Sequence, residues 1–442
     1  MYREIAKLII YGDREQDSIL YQLGEVFRAF DEKSKSNSEL LQDIYTQVKR
    51  LLEVATDYGF DHNLWHNYLT FYLVTNENPF SITCEKVGAN KGSVNHFAMN
   101  DFAVFKNLFA FDFAPIEEAL GTDCFSQLSN YQAIGKKELM YNKNVSEKII
   151  ALSAKLEEAS DVQAFFDCVT GFYRDYGVGM FGLNKAFRIQ EKPVGGVDFI
   201  AINNMDKVML DDLIGYEIQK EKLVANTKAF VEGKAANNVL LFGDSGTGKS
   251  TSIKAIVNEF YPQGLRMIEI YKHQFKNLSE VIARIKNRNY KFIIYMDDLS
   301  FEEFEIEYKF LKAVIEGGVE TKPDNILIYA TSNRRHLIKE TWNDRNDVEV
   351  QNGMHRSDTM EEKLSLVNRF GVTINYSKPS QKEYFHIVIE LARKQGITPE
   401  QMSDEELKAE ANKWELSHGG ISGRTAQQFI NYVAGSLAVS GS

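Results

Sequence analysis

The 442-residue chain contains few cysteines and few prolines, and each shortage argues against a class of protein. Its three cysteines, Cys84, Cys124 and Cys168, are an odd number, and none belongs to a Cys-x-x-Cys pair. A disulfide scaffold and a structural zinc site are therefore disfavoured, and a reducing compartment fits better. Seven prolines are too few for long proline-rich linkers.

Long apolar runs are missing as well. No stretch reaches the ~18 consecutive apolar residues that a membrane span needs. The apolar run near the first residue, 8–11, is too short for the core of a signal peptide. We therefore expect a soluble, cytoplasmic protein with no membrane partner.

The chain has fewer basic than acidic residues: 51 Lys and Arg against 62 Asp and Glu, which gives a net charge of −11. The deficit lies mainly in residues 1–200, which carry 20 basic and 28 acidic side chains, whereas residues 201–442 carry 31 and 34. This charge argues against nucleic-acid binding through residues 1–200 and favours a protein partner there. It does not indicate a DNA partner elsewhere, although a local basic patch would suffice for one.

The spacing of apolar residues changes near residue 200. Apolar residues recur at helical spacing before that point, and Phe102, Phe105 and Phe109 are predicted to form a core-facing stripe of one helix. A partner groove is the alternative for these rings. After residue 200, helices alternate with apolar strands, predicted at 238–242, 265–271, 291–297, 325–331 and 372–376, and this alternation indicates a parallel sheet. The last 60 or so residues contain only helical patterns.

One glycine-rich segment carries a complete phosphate-loop pattern. The pattern G-x-x-x-x-G-K-[ST] is matched at every fixed position by Gly243, Asp244, Ser245, Gly246, Thr247, Gly248, Lys249 and Ser250. An apolar strand precedes the loop and a helical run beginning at Thr251 follows it, so backbone N–H groups can turn toward phosphate oxygens. We expect these residues and Thr251 to bind nucleotide, with Lys249 at the β- and γ-phosphates and the Ser250 hydroxyl on Mg²⁺.

An acidic pair ends the predicted strand 291–297. Asp297, 48 residues after Lys249, is predicted to be the carboxylate that holds Mg²⁺ beside a phosphate loop. Asp298 is then placed to polarise the attacking water. Many ATPases carry glutamate here, whose reach is about 1.5 Å longer, and misplacement on that scale can cost ~10²-fold in rate. Two alternatives follow: slow hydrolysis, or a contribution from Glu302 or Glu303.

Taken together, residues 205–439 resemble the AAA+ ATPases. The strand before Asn333 resembles the family's sensor 1 segment, so Asn333 would lie between the metal-binding carboxylate and the γ-phosphate. The segment around Arg369 resembles the arginine finger, most closely that of bacterial replication initiators, and would reach a nucleotide held by a neighbouring subunit. Arg424 resembles sensor 2 in a helical lid.

The resemblance also implies that Ile214 and Gly215 pack on the adenine. A polar stretch, Lys339–Asp358, separates sensor and finger and is predicted to be a surface insertion. More narrowly, Val239–Ser250, Asp297–Glu303 and Thr331–Leu337 are similar to an uncharacterised bacterial AAA+ family. That family is described only as ATP-binding.

The expected architecture is therefore a mainly helical N-terminal domain (1–195), an AAA+ α/β domain with a five-stranded parallel sheet (205–375) and a helical lid (376–442). The resemblance implies a Mg²⁺-dependent ATPase that acts as a remodeller or loader on a macromolecular partner. It also implies a homo-oligomer in which the finger acts in trans. A nucleotide-dependent switch or scaffold that hydrolyses ATP slowly is the alternative, because Asp298 departs from the family pattern.

Overall fold

A computed structural model describes most of the chain. The described residues are 1–12, 17–134, 143–193, 195–203, 205–300, 307–316, 323–333, 367 and 369–440. The chain divides into two compact units, one comprising Met1–Asn184 with Ala201–Asn204 and the other comprising Lys185–Ile200 with Met205–Ser442. Glu302, Glu303 and the stretch Lys339–Asp358 lie outside the described residues.

The first unit is helical. Its described part contains α1 (Tyr2–Ile5), α2 (Ile19–Asp31), α3 (Asn37–Tyr58), α4 (Leu64–Thr75), α5 (Pro79–Val87), α6 (Val94–Phe109), α7 (Ala114–Leu120), α8 (Cys124–Ser129), α9 (Lys143–Glu157), α10 (Val162–Tyr176) and α11 (Gly179–Leu183). Phe102, Phe105 and Phe109 of α6 are buried, which confirms the predicted core stripe. A capping box at Ser36 and Glu39 fixes the start of α3, because each side chain satisfies a backbone N–H of the first turn.

The second unit contains a seven-stranded sheet. Its strands are β1 (Ala186–Glu191), β2 (Val197–Ala201), β3 (Val239–Gly243), β4 (Leu265–Glu269), β5 (Lys291–Met296), β6 (Ile326–Ser332) and β7 (Val372–Tyr376). The strand order is β2-β1-β4-β5-β6-β3-β7. The neighbours from β1 to β7 pair in parallel. The five predicted strands are β3 to β7, and they form the parallel core of the sheet.

Helices connect and cover these strands. They are α12 (Glu217–Val231), α13 (Lys249–Phe260), α14 (Leu278–Ile285) and α15 (Glu307–Glu316). The strands β3, β5 and β6 are almost continuously apolar and buried, as expected for parallel strands covered on both faces. Because β5 and β6 end in parallel beside β3, the residues that follow these three strands meet at one edge of the sheet.

The predicted domain boundary at residue 195 falls inside the second unit. Lys192 and Gly196 lie in the connection from β1 to its neighbour β2, and the Lys192 N–H donates to the Gly196 carbonyl at 2.9 Å. Two strands were therefore missed by the sequence analysis. Their turn contains proline and glycines, a composition that turns share with linkers.

Three helices follow the sheet and pack on each other: α16 (Gln381–Lys394), α17 (Asp404–Ser417) and α18 (Gly423–Ser440). They bury a separate apolar cluster that includes Tyr384 and Phe429, and Ile214 packs against it. Capping boxes open α16 and α17. This group of helices is called the lid below. No helix in the described part of the chain is long and apolar enough to cross a membrane.

Candidate functional site

The glycine-rich loop joins the end of β3, the second strand from one edge of the sheet, to the start of α13. Gly243 has a φ of +131°, and a Cβ there would lie 2.2 Å from the Tyr376 carbonyl oxygen. Gly248 has a φ of +92° and precedes the first residue of α13. Both positions require glycine, because side chains rarely adopt such angles and the first has no room for one. The loop thus has the strand-to-helix setting of a phosphate loop.

Lys249 is nearly buried at the base of this loop, with 6% of its surface exposed. Its Nζ donates to the carbonyl oxygens of Gly243 (3.0 Å) and Asp244 (2.6 Å) and to Asn333 Oδ1 (3.1 Å). Burial lowers the pKa of Lys249, and nearby carboxylates oppose that shift. The ammonium group is therefore held among oxygen acceptors, the kind of partner that phosphates also supply.

The acidic pair lies directly after β5 and beside the loop. Ser250 Oγ donates to Asp297 Oδ1 at 2.7 Å, so the two predicted metal ligands are in contact. Burial raises the pKa of Asp297, but hydrogen bonds from Thr331 and Ser250 help to hold it below the usual value. Asp297 therefore favours its charged form, which is the form that binds a cation.

Asn333 bridges the loop and the acidic pair. Its Oδ1 accepts from Lys249, and its Nδ2 donates to Asp298 Oδ1 at 2.8 Å. Asp298 has a φ of +49°, an uncommon backbone conformation for a residue with a side chain. The sheet thus brings together four of the predicted site residues, Lys249, Asp297, Asp298 and Asn333, which come from three separate strand ends.

The donor set fits Mg²⁺. No group of three or more His, Cys, Asp or Glu side chains in the described residues could hold a metal ion by itself. Mg²⁺ suits such a site, because it usually keeps several waters and takes one or two protein ligands plus substrate phosphates. The buried Tyr295 hydroxyl lies beside Asp297, Ser250 and Thr331, and its contact with Asp297 helps to hold the pKa of that carboxyl below its usual value.

A cleft of about 780 Å³ covers these groups and extends to the lid. Among the predicted site residues it is lined by Ile214, Ser245, Gly246, Thr247, Gly248, Lys249, Ser250, Thr251, Asp297, Asp298, Asn333 and Arg424. Its volume is within the range of small-molecule sites. One end is apolar, with Leu213, Ile387 and Leu391 beside Ile214, and the other end is formed by the loop and the acidic pair.

Four predicted residues do not line the cleft: Gly215, Gly243, Asp244 and Arg369. The Asp244 carboxylate instead accepts the backbone N–H of Lys378 at 2.9 Å, which ties the loop to the connection between β7 and the lid. Arg369 lies in the half-buried turn before β7. The cleft also contains Val208, Asp212, Leu213, Tyr216, Thr331, Ile387, Leu391, Gly423, Gln427 and Gln428, which the sequence analysis did not single out.

Thr331 is the missed residue that a sequence signal could have identified. It lies two residues before Asn333 at the end of β6, and residues two apart in a strand share a face. The lid residues had no comparable signal, because helices that follow the sheet in sequence can pack against it in many ways.

The lid touches the loop through its last helix. The backbone N–H of Arg424 donates to the Gly246 carbonyl at 3.1 Å. Gly246 has a φ of +76°, and a Cβ there would lie 3.0 Å from Ser422 Oγ and 3.1 Å from Arg424 Cβ. The start of α18 therefore packs directly on the phosphate loop.

We predict that Gly246→Ala weakens nucleotide binding about tenfold, which corresponds to ~1.4 kcal/mol, because the new methyl group would push α18 away from the loop. Gly233→Ala is the matched control, since Gly233 has a similar φ of +75° but no atom within 4 Å of its Cβ position. Nucleotide affinity would be measured by calorimetry. Equal nucleotide affinities in the two variants would show that the close packing of α18 on Gly246 does not affect nucleotide binding.

The sheet order, the loop after β3, the acid after β5 and the helical lid together define the AAA+ P-loop fold, with a helical unit before it. The chain belongs to the family described as "Protein of unknown function (DUF815)", which matches residues 183–437. None of the curated proteins matches the chain.

Three solved structures are similar to about half of the chain, at low identity and low TM-score. The Thermotoga maritima RuvB Holliday junction branch migration motor is 18% identical with a TM-score of 0.36, over 54% of this chain and 67% of its own. The FIGL-1 AAA domain in complex with ADP is 17% identical with a TM-score of 0.36, over 53% and 74%. PCH-2 of C. elegans is 15% identical with a TM-score of 0.33, over 53% and 71%.

Proposed function

We propose that this chain is a Mg²⁺-dependent ATPase of the AAA+ class that couples its nucleotide state to an unidentified macromolecular partner. One observation carries the proposal, which is a set of hydrogen bonds within one cleft. Asn333 is hydrogen-bonded to both Lys249 and Asp298. Beside them, Ser250 is hydrogen-bonded to Asp297. These are the groups that phosphoryl transfer from a nucleotide requires, placed within contact of one another.

In the proposed binding mode, the loop N–H groups from Ser245 to Ser250 face the phosphates, and Lys249 exchanges one or more of its oxygen partners for phosphate oxygens. Thr251 supports the start of α13. The adenine lies at the apolar end of the cleft near Ile214, with Gly215 in the adjoining backbone. Ser250 and Asp297 hold Mg²⁺, which would neutralise phosphate charge when bound.

In the proposed reaction, a water attacks the γ-phosphorus in line with the leaving oxygen. Asp298 accepts a hydrogen bond from that water and orients it, while Asn333 fixes the Asp298 carboxylate. Lys249 and Arg424 stabilise the charge that develops on the phosphoryl oxygens. The contact of Arg424 with Gly246 suggests how the lid could follow the state of the phosphates.

We further propose a homo-oligomer in which Arg369 completes the site of a neighbouring subunit. The support is that Arg369 does not line the cleft of its own chain in the described structure. Residues 1–195 would engage a protein partner in the cytoplasm, residues 205–375 would bind nucleotide and residues 376–442 would move as the lid. A loader acting on DNA is a second form of the same proposal, which the net charge does not indicate.

We predict that Arg369→Ala and Lys249→Ala chains each lose at least about 10²-fold in ATP turnover, since arginine fingers contribute 10³–10⁵. A mixture of the two should regain part of the turnover, because an intact Arg369 from one chain would meet an intact phosphate loop in another. Phosphate release would be measured over a range of mixing ratios. A mixture no more active than its components would exclude a finger that acts in trans.

A slowly hydrolysing switch is the second candidate, and Asp298 is the observation that favours it. The Asp298 carboxylate accepts a hydrogen bond from Asn333, and the aspartate side chain is shorter than that of a glutamate. Steady-state turnover separates the two candidates, with and without nucleic acid present. A rate well above about one per minute, against typical enzyme rates of 1–10³ per second, would count against the switch.

A further inference from the structure

Thr331, at the end of β6, contacts both members of the acidic pair although neither the phosphate-loop pattern nor the AAA+ resemblance assigned it a role. Its side chain is buried, with 2% of the residue exposed. Thr331 Oγ1 donates to Asp297 Oδ1 at 2.5 Å and accepts the backbone N–H of Asp298 at 2.9 Å. One hydroxyl group therefore serves the predicted metal ligand and the predicted water-orienting residue at once.

The main chain of Thr331 extends this connection. Its carbonyl oxygen accepts the backbone N–H of Leu299 at 2.7 Å. Three consecutive residues, 297–299, are thus attached to a single residue of the neighbouring strand. A backbone angle such as the +49° φ of Asp298 persists only where surrounding contacts enforce it, and the hydrogen bond to Thr331 is one such contact.

We propose that Thr331 is a positioning residue whose hydroxyl sets the cation affinity of Asp297 and the orientation of Asp298 together. The inference rests on the proposed ATPase function and adds a residue to it. By donating to Asp297, Thr331 fixes which oxygen lone pairs of the carboxylate face the cleft. By accepting from Asp298, it holds the turn in which the Asp298 carboxylate reaches Asn333.

The alternative is that Thr331 only fills the protein interior. Thr227 offers a matched comparison, because it is equally buried in the same unit. Its Oγ1 donates to the Leu223 carbonyl at 2.8 Å and bonds the Tyr329 hydroxyl at 2.7 Å. Thr227 does not line the cleft. Removing its hydroxyl therefore tests loss of a buried hydrogen bond without disturbing the acidic pair.

The experiment compares the wild-type full chain with Thr331→Val, Thr331→Ser and Thr227→Val. Three quantities are measured: ATP affinity in EDTA, ATP affinity with Mg²⁺, and turnover. Supporting contacts of metal ligands typically contribute 10–100-fold, so Thr331→Val should reduce the ratio of Mg²⁺ to EDTA affinity about tenfold and turnover by at least as much. Its ATP affinity in EDTA should stay within about twofold of wild type, because the phosphate loop that binds the nucleotide is unchanged.

Thr331→Ser keeps the hydroxyl and should restore both the affinity ratio and turnover to within about threefold of wild type. Thr227→Val should lower the unfolding temperature without changing the affinity ratio. If Thr331→Val does not fold, the serine variant still decides: an affinity ratio reduced tenfold despite the retained hydroxyl would overturn the proposal.

Other results would also overturn it. A wild-type affinity ratio in Thr331→Val, or loss of its affinity in EDTA as well, would show that Thr331 does not act through the acidic pair. If the wild-type chain binds ATP with the expected Mg²⁺ dependence, such results remove only the role of Thr331. If the wild-type chain shows no Mg²⁺-dependent ATP binding, the proposed function fails together with this inference.

Discussion

Lys249→Ala is expected to lower ATP turnover by at least about 10²-fold, the usual effect of removing one group that stabilises transition-state charge. Lys249 is the nearly buried cation at the base of the loop, and its Nζ already lies among three oxygen acceptors. An alanine leaves no donor for the β- and γ-phosphates. The fold should persist. Burial lowers the pKa of Lys249, which means that burying its charged form costs free energy, and the alanine removes that cost.

Lys254→Ala is the matched control for this prediction. Lys254 lies on the same helix, α13, but forms an ion pair with Asp206 at 2.6 Å and does not line the cleft. The measurement is phosphate release under saturating ATP, with thermal unfolding of each variant alongside. Full activity of a folded Lys249→Ala chain would show that the reaction, if present, occurs elsewhere.

Asp298→Asn is expected to reduce turnover by about 10²–10⁴-fold, the range of general acid–base contributions, while ATP still binds. The asparagine Oδ1 can keep the hydrogen bond from Asn333, and the backbone bond to Thr331 is unaffected. Only the negative charge that orients and polarises water is lost. The variant should therefore accumulate bound ATP, which single-turnover hydrolysis and a direct analysis of the bound nucleotide would reveal.

Asp298→Glu refines this test, because it keeps the charge and extends the reach by about 1.5 Å. A faster rate than wild type would support the slow switch, in which the aspartate is too short for rapid hydrolysis. A slower rate would indicate that the turn after β5 is built around the aspartate. Near wild-type turnover in Asp298→Asn would remove Asp298 from the reaction and direct attention to Glu302 or Glu303.

Much of the second unit could be predicted because its signals are local in sequence. The strands β3 to β7 are short apolar runs, and alternation with helices predicts a parallel sheet. The phosphate loop is a continuous pattern whose glycines are needed where the structure has left-handed backbone, at Gly246 and Gly248. Parallel strand ends then place Asp297 and Asn333 near Lys249 by geometry alone.

What could not be predicted depends on contacts between distant parts of the chain. The strands β1 and β2 pair at the edge of the sheet next to β4, but their turn has the composition of a linker. The Asp244 side chain belongs to the phosphate-loop pattern, yet it binds the backbone before the lid. No local pattern distinguishes an aspartate that faces a ligand from one that faces its own main chain.

The most direct test of the proposed ATPase function is phosphate release by the purified full chain. We predict turnover of ATP that requires Mg²⁺, stops in EDTA and is lost in the Lys249→Ala variant. Parallel reactions with GTP would define the base preference. Failure of the folded wild-type chain to bind or hydrolyse ATP in the presence of Mg²⁺, or hydrolysis that persists unchanged in Lys249→Ala, would contradict the proposed ATPase function.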